Sequence, residues 1–505
     1  MRLTLSKLPL FVVATSLFTV VIAAPGSSGS LNWSKCPSDV PLASPALQCA
    51  QLQAPLNWSD PDGEKIMLGL TRVQANNTDN RIGSLLINPG GPGQAASTLI
   101  AGQALGFPLF SEALSSQFDI VGLDPRGVGL STPVMCDPEI WNERITSFPT
   151  SEEEFNNMVD QNKAVWRSCA NMTGSLLYNV DTLSVARDFE ALRQALDEEQ
   201  ITFLGISYGS QIGQSYAQLY PGKYRAMALD GIVDHNQSDT DVFATQAAAY
   251  EYGFARFAKW SDNTTGSALH GEDVDEVFTQ LVNNATSEPI PAPGCGSNGM
   301  CRPNITGEEI LFLVQELLMF KDPFPPQSSG WVGLAEALAA AAGGNATALS
   351  TAYAVQYLAS SNQSTVFAGL ATLCLDLGDS IANYSDLQYR LELGSYVAPV
   401  TRGASERWQA QTRCIGFGHE PTNPQTDMTV VNNGSLPVLL AQSKYDPSTS
   451  YIWAEDVRNQ IDSSVLALRD GDGHTSYFLH GELADIIDSY LTNETLPKPN
   501  TIVDT

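Results

Sequence analysis

The chain has 505 residues, with 26 Lys and Arg against 55 Asp and Glu, a formal net charge of −29 at pH 7. The acid is spread along the whole chain, which argues against nucleic acid and anionic membranes as partners. The length exceeds one compact core, so a main domain with a large insertion or a second domain is expected.

At the start, Arg2 and Lys7 lead into an apolar run from Leu8 to Ile22, and small residues follow. That layout predicts a secretory signal peptide over residues 1–23, cut after Ala23. The run is short for a membrane span and is interrupted by Thr15, Ser16 and Thr19. No later stretch is long and apolar enough to cross a bilayer, so a secreted, extracellular protein free of the membrane is expected. Eight cysteines fit that compartment: Cys36, Cys49, Cys136, Cys169, Cys295, Cys301, Cys374 and Cys414. They fall into four sequence-neighbouring pairs, although eight cysteines allow about 105 connectivities. Thirteen N-x-S/T triplets, from Asn32 to Asn493 and including Asn433, predict N-linked glycans.

Residues 31–75 read as short strands, and "KIMLGLTRVQA" alternates apolar and polar positions. "GSLLINPGGPG" and "FDIVGLDPRGVG" are short apolar runs, each feeding a glycine-rich loop, the βα signature of a parallel sheet. In "DTLSVARDFEALRQALDEE", Val185, Phe189, Leu192 and Leu196 recur at helical spacing. Next come the strand "ITFLGIS", a helix from Tyr208 and the strand "YRAMALDGIVD". This alternation predicts an α/β fold with a mostly parallel central sheet. Residues 236–430 change character to helical patterns separated by Pro/Gly-rich loops and read as a large inserted helical cap, or lid. Strands return at "SLPVLLAQSKYD" and "SVLALRDGDGH", and a last helix is expected in "SYFLHGELADIIDSYL". The core is thus expected over 24–235 and 431–505, with the cap over 236–430.

The pentapeptide "GISYG" places Ser207 between two glycines at the junction of a strand and a helix. Such a turn is strained and crowded, and it holds a serine hydroxyl exposed at the top of the sheet. A serine needs a base to act as a nucleophile. Of five histidines, His474 alone lies in a glycine-containing loop after a core strand; His480 falls inside a helical pattern, and His235, His270 and His419 lie in or beside the cap. The base needs an orienting acid. Asp446 follows a strand and stands 28 residues before His474, room for one βα unit. Asp470 and Asp472 read as turn residues. The loop "NPGGPG" is a candidate oxyanion hole, with the backbone N–H groups of Gly91 and Tyr208 as donors. Asp124 and Arg126 are expected to pair and shape their loop.

Taken in order, "NPGGPG", "DPRGVGLSTP", "GISYGS", "LDGIVD", "LCLD", "YDPSTS" and "GDGHTS" resemble the tripeptidyl-aminopeptidase-like branch of the α/β hydrolases, relatives of the proline iminopeptidases. The resemblance covers nearly all of the chain after the expected cut. It implies an α/β-hydrolase fold with a helical lid, and a Ser-Asp-His triad that lands on Ser207, Asp446 and His474. This chain departs from the family pattern at Gln94 and Ala95, where glycines usually continue, at Phe417 in place of a tryptophan, and at Ser450 in place of a proline.

The resemblance implies a secreted serine exopeptidase that removes short peptides from free N-termini through an acyl-enzyme. Two other readings stay open: a carboxylesterase using the same triad, and a non-catalytic binding protein on a hydrolase fold. An exopeptidase needs an anionic subsite for a free α-amine, and Asp376 in "LCLDLGD" is the candidate carboxylate. No C-x-x-C and no His-rich cluster occurs, so no metal and no cofactor is expected.

Overall fold

The computed structural model describes residues 31–37, 44–296, 301–323, 328–377, 381–426, 429–431 and 434–504. The expected signal peptide and the acceptor Asn433 lie outside the described residues.

The described residues form twelve strands: β1 Ser34–Lys35, β2 Gln48–Pro55, β3 Lys65–Val73, β4 Gly83–Asn88, β5 Phe118–Leu123, β6 Ile201–Ile206, β7 Tyr224–Asp230, β8 Ile290–Pro291, β9 Asn304–Ile305, β10 Val438–Tyr445, β11 Ser464–Asp472 and β12 Thr501–Asp504. Ten of them build one sheet in the order β1-β2-β3-β5-β4-β6-β7-β10-β11-β12. The β1–β2, β2–β3 and β3–β5 pairs are antiparallel, and all pairs from β5 to β12 are parallel. Each core strand expected from the apolar runs is present. The edge strand β12 was not among those expectations.

The central strands read as continuous apolar runs because both faces of the sheet are covered. All six residues of β6 are buried. Ile201 and Phe203 face one apolar cluster with Val185, Phe189 and Ile212 of the helices Thr182–Ala195 and Tyr208–Leu219. Leu204 and Ile206 face the other, with Ile100, Leu114, Ile487 and Leu491. The two-residue period of a strand sorts these side chains. The last helix runs over Glu482–Asn493, later than its apolar pattern starts, because the chain first makes a short 3-10 turn and then passes Gly481 at φ 99°.

Between β7 and β10 the described residues form eight helices: Asp239–Asn263, Val274–Ser287, Gly307–Leu318, Gly330–Ala342, Thr347–Tyr357, Thr365–Leu377, Tyr384–Val397 and Glu406–Cys414. Local signals set their starts. Ser238, Asp273, Asn383 and Ser405 cap first turns with their side chains, and Thr306 with Glu309 forms a reciprocal capping box. A second helical excursion lies between β5 and β6. Its long helix, Glu152–Thr173, packs on the first group: Asn162 Nδ2 donates to Thr412 O at 2.8 Å and Trp166 Nε1 to Arg413 O at 2.9 Å. Among the described residues, no helix is long and apolar enough to cross a membrane.

Four disulfides join Cys36–Cys49, Cys136–Cys169, Cys295–Cys301 and Cys374–Cys414, the neighbouring pairs expected. The last closes a span of 40 residues and ties helix Thr365–Leu377 to helix Glu406–Cys414. A bridge over a loop of that length limits the unfolded chain by roughly 2–5 kcal/mol. Cys374→Ala/Cys414→Ala should therefore lower the urea midpoint and admit protease cleavage between the two positions. An unchanged midpoint would contradict that role.

Candidate active site

Ser207 joins β6 to helix Tyr208–Leu219 at φ 55° and ψ −122°, a conformation that L-residues avoid. The flanking glycines are required by close approach. A Cβ at Gly205 would stand 2.3 Å from Gly209 O, and one at Gly209 would stand 2.6 Å from Asn88 O. Ser207 N donates to Asp230 O at 2.8 Å, which fixes the turn to the end of β7.

The loop after β4 packs against this turn. Gly90, at φ 101°, has no room for a side chain: a Cβ there would lie 2.9 Å from Ser207 Cβ and 3.2 Å from Tyr208 N. Gly90 is thus the loop glycine set against the serine, and Gly91 is its neighbour at φ 102°. The Gly91 and Tyr208 amides make no hydrogen bond among the described residues.

His474 follows β11 and Asp446 follows β10, so the parallel pairing of those strands brings the two together. His474 Nδ1 lies 2.9 and 2.8 Å from the two Asp446 carboxylate oxygens. Asp446 also accepts from Ser448 N at 2.9 Å, Thr449 N at 2.8 Å, Thr449 Oγ1 at 2.8 Å and Thr475 N at 3.2 Å. The loop bearing His474 is anchored on both sides. Ser476 N and Tyr477 N each donate to Asp230 Oδ2 at 2.7 Å, and His474 N donates to Met319 O at 2.7 Å. A Cβ at Gly231 would touch His474 Cε1 at 3.3 Å. Ser207 and the His474 ring are therefore both built against the Asp230–Gly231 turn, although no hydrogen bond joins them in this structure. Catalytic hydrogen bonds are often unmade before substrate binds.

Burial alone would raise the Asp446 carboxyl, but the His474 imidazole and the Ser448 and Thr449 amides hold it below its ordinary value. Burial opposes charge on His474, yet Asp446, with Glu406 and Asp230 farther off, raises its pKa above the ordinary 6.5. A base must be neutral to take a proton, so the acid limb of kcat/KM should lie above pH 6.5. Asp446→Asn should move that limb down, and a wild-type limb well below 6.5 would contradict the pairing. The fold gains on both sides of this window. The contribution of Asp446 is present above its unfolded value and is lost as pH falls through its depressed one. That of His474 is present below 6.5 and is lost as pH rises through its raised one.

Asp376 requires a correction. It is 1% exposed and accepts from Thr182 N at 3.1 Å, Gln211 Nε2 at 3.0 Å, Asn423 Nδ2 at 2.9 Å and Thr182 Oγ1. Burial first raises its pKa to about 7. It bridges helix Thr365–Leu377 to the core helices and leaves no acceptor for a substrate amine. Arg126 also differs from expectation. It pairs with Asp188, at 2.7 Å through both Nε and Nη2, while Asp124 accepts from Ser97 N, Ser97 Oγ and Leu130 N. Asp472 is more than a turn residue: it pairs with Arg256 and with Lys321 Nζ at 2.8 Å, clamping the end of β11 to the helical insertion.

A carboxyl pair not foreseen in the sequence stands near His474. Glu406 Oε2 accepts from Ser448 Oγ at 2.6 Å and Gln246 Nε2 at 3.1 Å, and Ser448 N in turn donates to Asp446. Burial, and then the charge of and hydrogen bond to Glu406, push Glu316 well above the usual carboxylate range. The two acids are 90 residues apart in sequence and no local pattern marks them.

Residues 83–288 match the family described as "alpha/beta hydrolase fold", and residues 398–502 match the one described as "TAP-like protein". The chain is 27% identical over 500 residues to the serine protease Hip1 of Mycobacterium tuberculosis, covering 94% of this chain and 91% of that protein. It is 26% identical over 516 residues to a tripeptidyl aminopeptidase of Streptomyces coelicolor, covering 93% of this chain and 85% of that protein. A carboxylesterase B of Mycobacterium tuberculosis matches at 29% over 243 residues, 46% of each chain. With the mostly parallel sheet and the two matched segments together, the chain is a serine hydrolase of the α/β-hydrolase fold that carries a TAP-like C-terminal segment.

Proposed function

We propose that this protein is a secreted exopeptidase that releases short peptides from free N-termini through an acyl-enzyme on Ser207. In this reading Ser207 Oγ attacks the scissile carbonyl and His474 takes its proton. Asp446 fixes the imidazole tautomer and stabilises the imidazolium. The tetrahedral oxyanion forms beside the glycine loop, with the Tyr208 amide at the helix N-terminus and the Gly91 amide as its donors, since the Gly90 amide already donates to Asn88 Oδ1 at 3.0 Å. His474 then hands its proton to the leaving amine, and water hydrolyses the ester by the same route reversed.

The observation that carries the exopeptidase reading is the Glu316–Glu406 pair, of which Glu406 accepts from the Ser448 hydroxyl while the Ser448 amide donates to Asp446. Burial and the neighbouring Glu406 oppose a charge on Glu316, and an α-ammonium placed between the two acids relieves that opposition. A buried ammonium without such a partner would cost several kcal/mol. The helices between β7 and β10 act as the lid that carries both acids, joined by the excursion between β5 and β6. The leader-like first 23 residues and the four disulfides support the secreted reading, and N-glycans are expected on the acceptor triplets.

A carboxylesterase is the second reading, favoured by the carboxylesterase relative and by a mechanism that cleaves esters equally well. The deciding experiment is a panel of peptide amides, free and N-blocked, beside simple p-nitrophenyl esters. The exopeptidase cleaves the free peptides best. Cleavage confined to the esters would overturn the proposal in favour of the second reading.

A further inference from the structure

A cavity of about 930 Å³ lies between the two helical excursions, and neither Ser207, Asp446 nor His474 lines it. Its walls come from the segment around Arg144–Phe148, the first turns of helix Gly307–Leu318, and the last turn of helix Glu406–Cys414. Four arginines line this one space in a chain with only 26 basic residues against 55 acidic ones.

Their pairing is unequal. Arg144 Nε and Arg302 Nε share Glu309 Oε1 at 3.0 and 3.3 Å. Arg402 Nη2 donates to the neutral Asn283 Oδ1 at 2.6 Å. Arg413 is different: its backbone oxygen accepts from Trp166, but its guanidinium makes no hydrogen bond and no ion pair among the described residues. The charge on that guanidinium is felt by Glu308, Tyr353 and Arg302, all of them on the cavity wall, which sets the group itself there. Five carboxylates share the wall, Glu143, Glu154, Asp160, Glu308 and Glu309, and four of them are held by groups other than Arg413: Glu309 by Arg144 and Arg302, and Asp160 by Lys163 Nζ at 3.7 Å. Glu308 accepts from Thr146 Oγ1 at 2.8 Å and Ser147 N at 2.7 Å, and Glu154 from Thr150 N at 2.7 Å and Thr150 Oγ1 at 2.8 Å.

We propose that this cavity is an anion-binding site, in which Arg413 takes the carboxylate of a small or peptidic ligand. A guanidinium presents five donors in a planar fork that fits a carboxylate bidentately. A half-buried one with all five unused lacks the partner its chemistry calls for. Burial already pushes the Arg413 pKa down, a penalty that a bound carboxylate relieves. The site lies apart from Ser207 and does not depend on the catalytic reading, so it is tested by binding alone.

The test is calorimetric titration of the full secreted protein with glutarate, with glutaramide as the uncharged control. Glutarate should bind and glutaramide should not. Arg413→Gln should weaken glutarate at least tenfold, and Arg413→Lys should restore most of it. If Arg413→Gln fails to fold, Glu308→Gln provides the second measurement: losing a neighbouring negative charge should tighten glutarate several-fold. Two peptides identify the source of the carboxylate: one with an internal glutamate and an amidated end, one with a free C-terminus and no acidic side chain. Arg413-dependent binding of either supports the site and names the source. Equal binding of glutarate and glutaramide, equal binding by wild type and Arg413→Gln, or no heat from glutarate at millimolar concentration would overturn it.

Discussion

Ser207→Ala should abolish hydrolysis of both peptides and esters, and His474→Ala should cost on the order of four or more decades in kcat. These effects are large because the members of such a triad act as a unit. A serine hydroxyl is a weak nucleophile without a base, and the base is poorly placed without its acid. Asp446→Asn should fall in the same range: the Nδ1 proton would meet an amide, and the tautomer with the basic nitrogen toward Ser207 would no longer be enforced. Misfolding is a separable outcome. Ser207 contributes its backbone amide, not its hydroxyl, to the turn at Asp230 O, so Ser207→Ala should keep the wild-type melting temperature within a few degrees. His474 loses more, because Asp446 would be left buried with two fewer contacts. The activity loss in Ser207→Ala at unchanged stability is therefore the clean reading, and near-normal turnover by that variant would rule out the mechanism.

N-acetylation of a good peptide substrate should reduce kcat/KM by about two decades, roughly 3 kcal/mol for a charged contact left unmade. The loss has two parts: the ammonium no longer meets Glu316 and Glu406, and the acids are covered by a group that cannot donate to them as well. Glu406→Gln should erase most of the difference between free and blocked peptides. The amide oxygen of glutamine still accepts from Ser448 and Gln246, so the link to Asp446 survives and p-nitrophenyl ester hydrolysis should change by only a few-fold. A parallel fall in ester hydrolysis would place Glu406 in positioning Asp446, not in binding the amine. Asp376→Asn, by contrast, should act on stability, since four hydrogen bonds inside the protein converge on that carboxylate.

The turn at Ser207 was legible because its constraint is local: two glycines at a fixed spacing between an apolar run and a helix. His474 and Asp446 were legible because each follows a strand of the sheet, and parallel pairing of those strands forces their meeting. Residues whose roles depend on distant partners were not. Asp376 reads as an acid in a lid, yet it meets Thr182 and Gln211, 194 and 165 positions away. Arg126 had an acid two residues off and chose Asp188, 62 residues away, because the fold buries both together. Glu316 and Glu406 sit on different helices, and nothing local distinguishes them from solvated charges. Helix Glu152–Thr173 did carry signals: the cap Ser151, three acids in its first turn, and an apolar face through Phe155, Met158, Val165, Trp166 and Cys169. Its packing partner, helix Glu406–Cys414, lies some 250 residues on, as the Asn162–Thr412 bond records.

The most direct measurement of the central claim is covalent labelling with a fluorophosphonate, followed by peptide mapping of the adduct by mass spectrometry. The account predicts one adduct, on Ser207, formed at the rate at which activity is lost and absent from Ser207→Ala. An adduct on another residue, or full activity after Ser207 is labelled stoichiometrically, would contradict it.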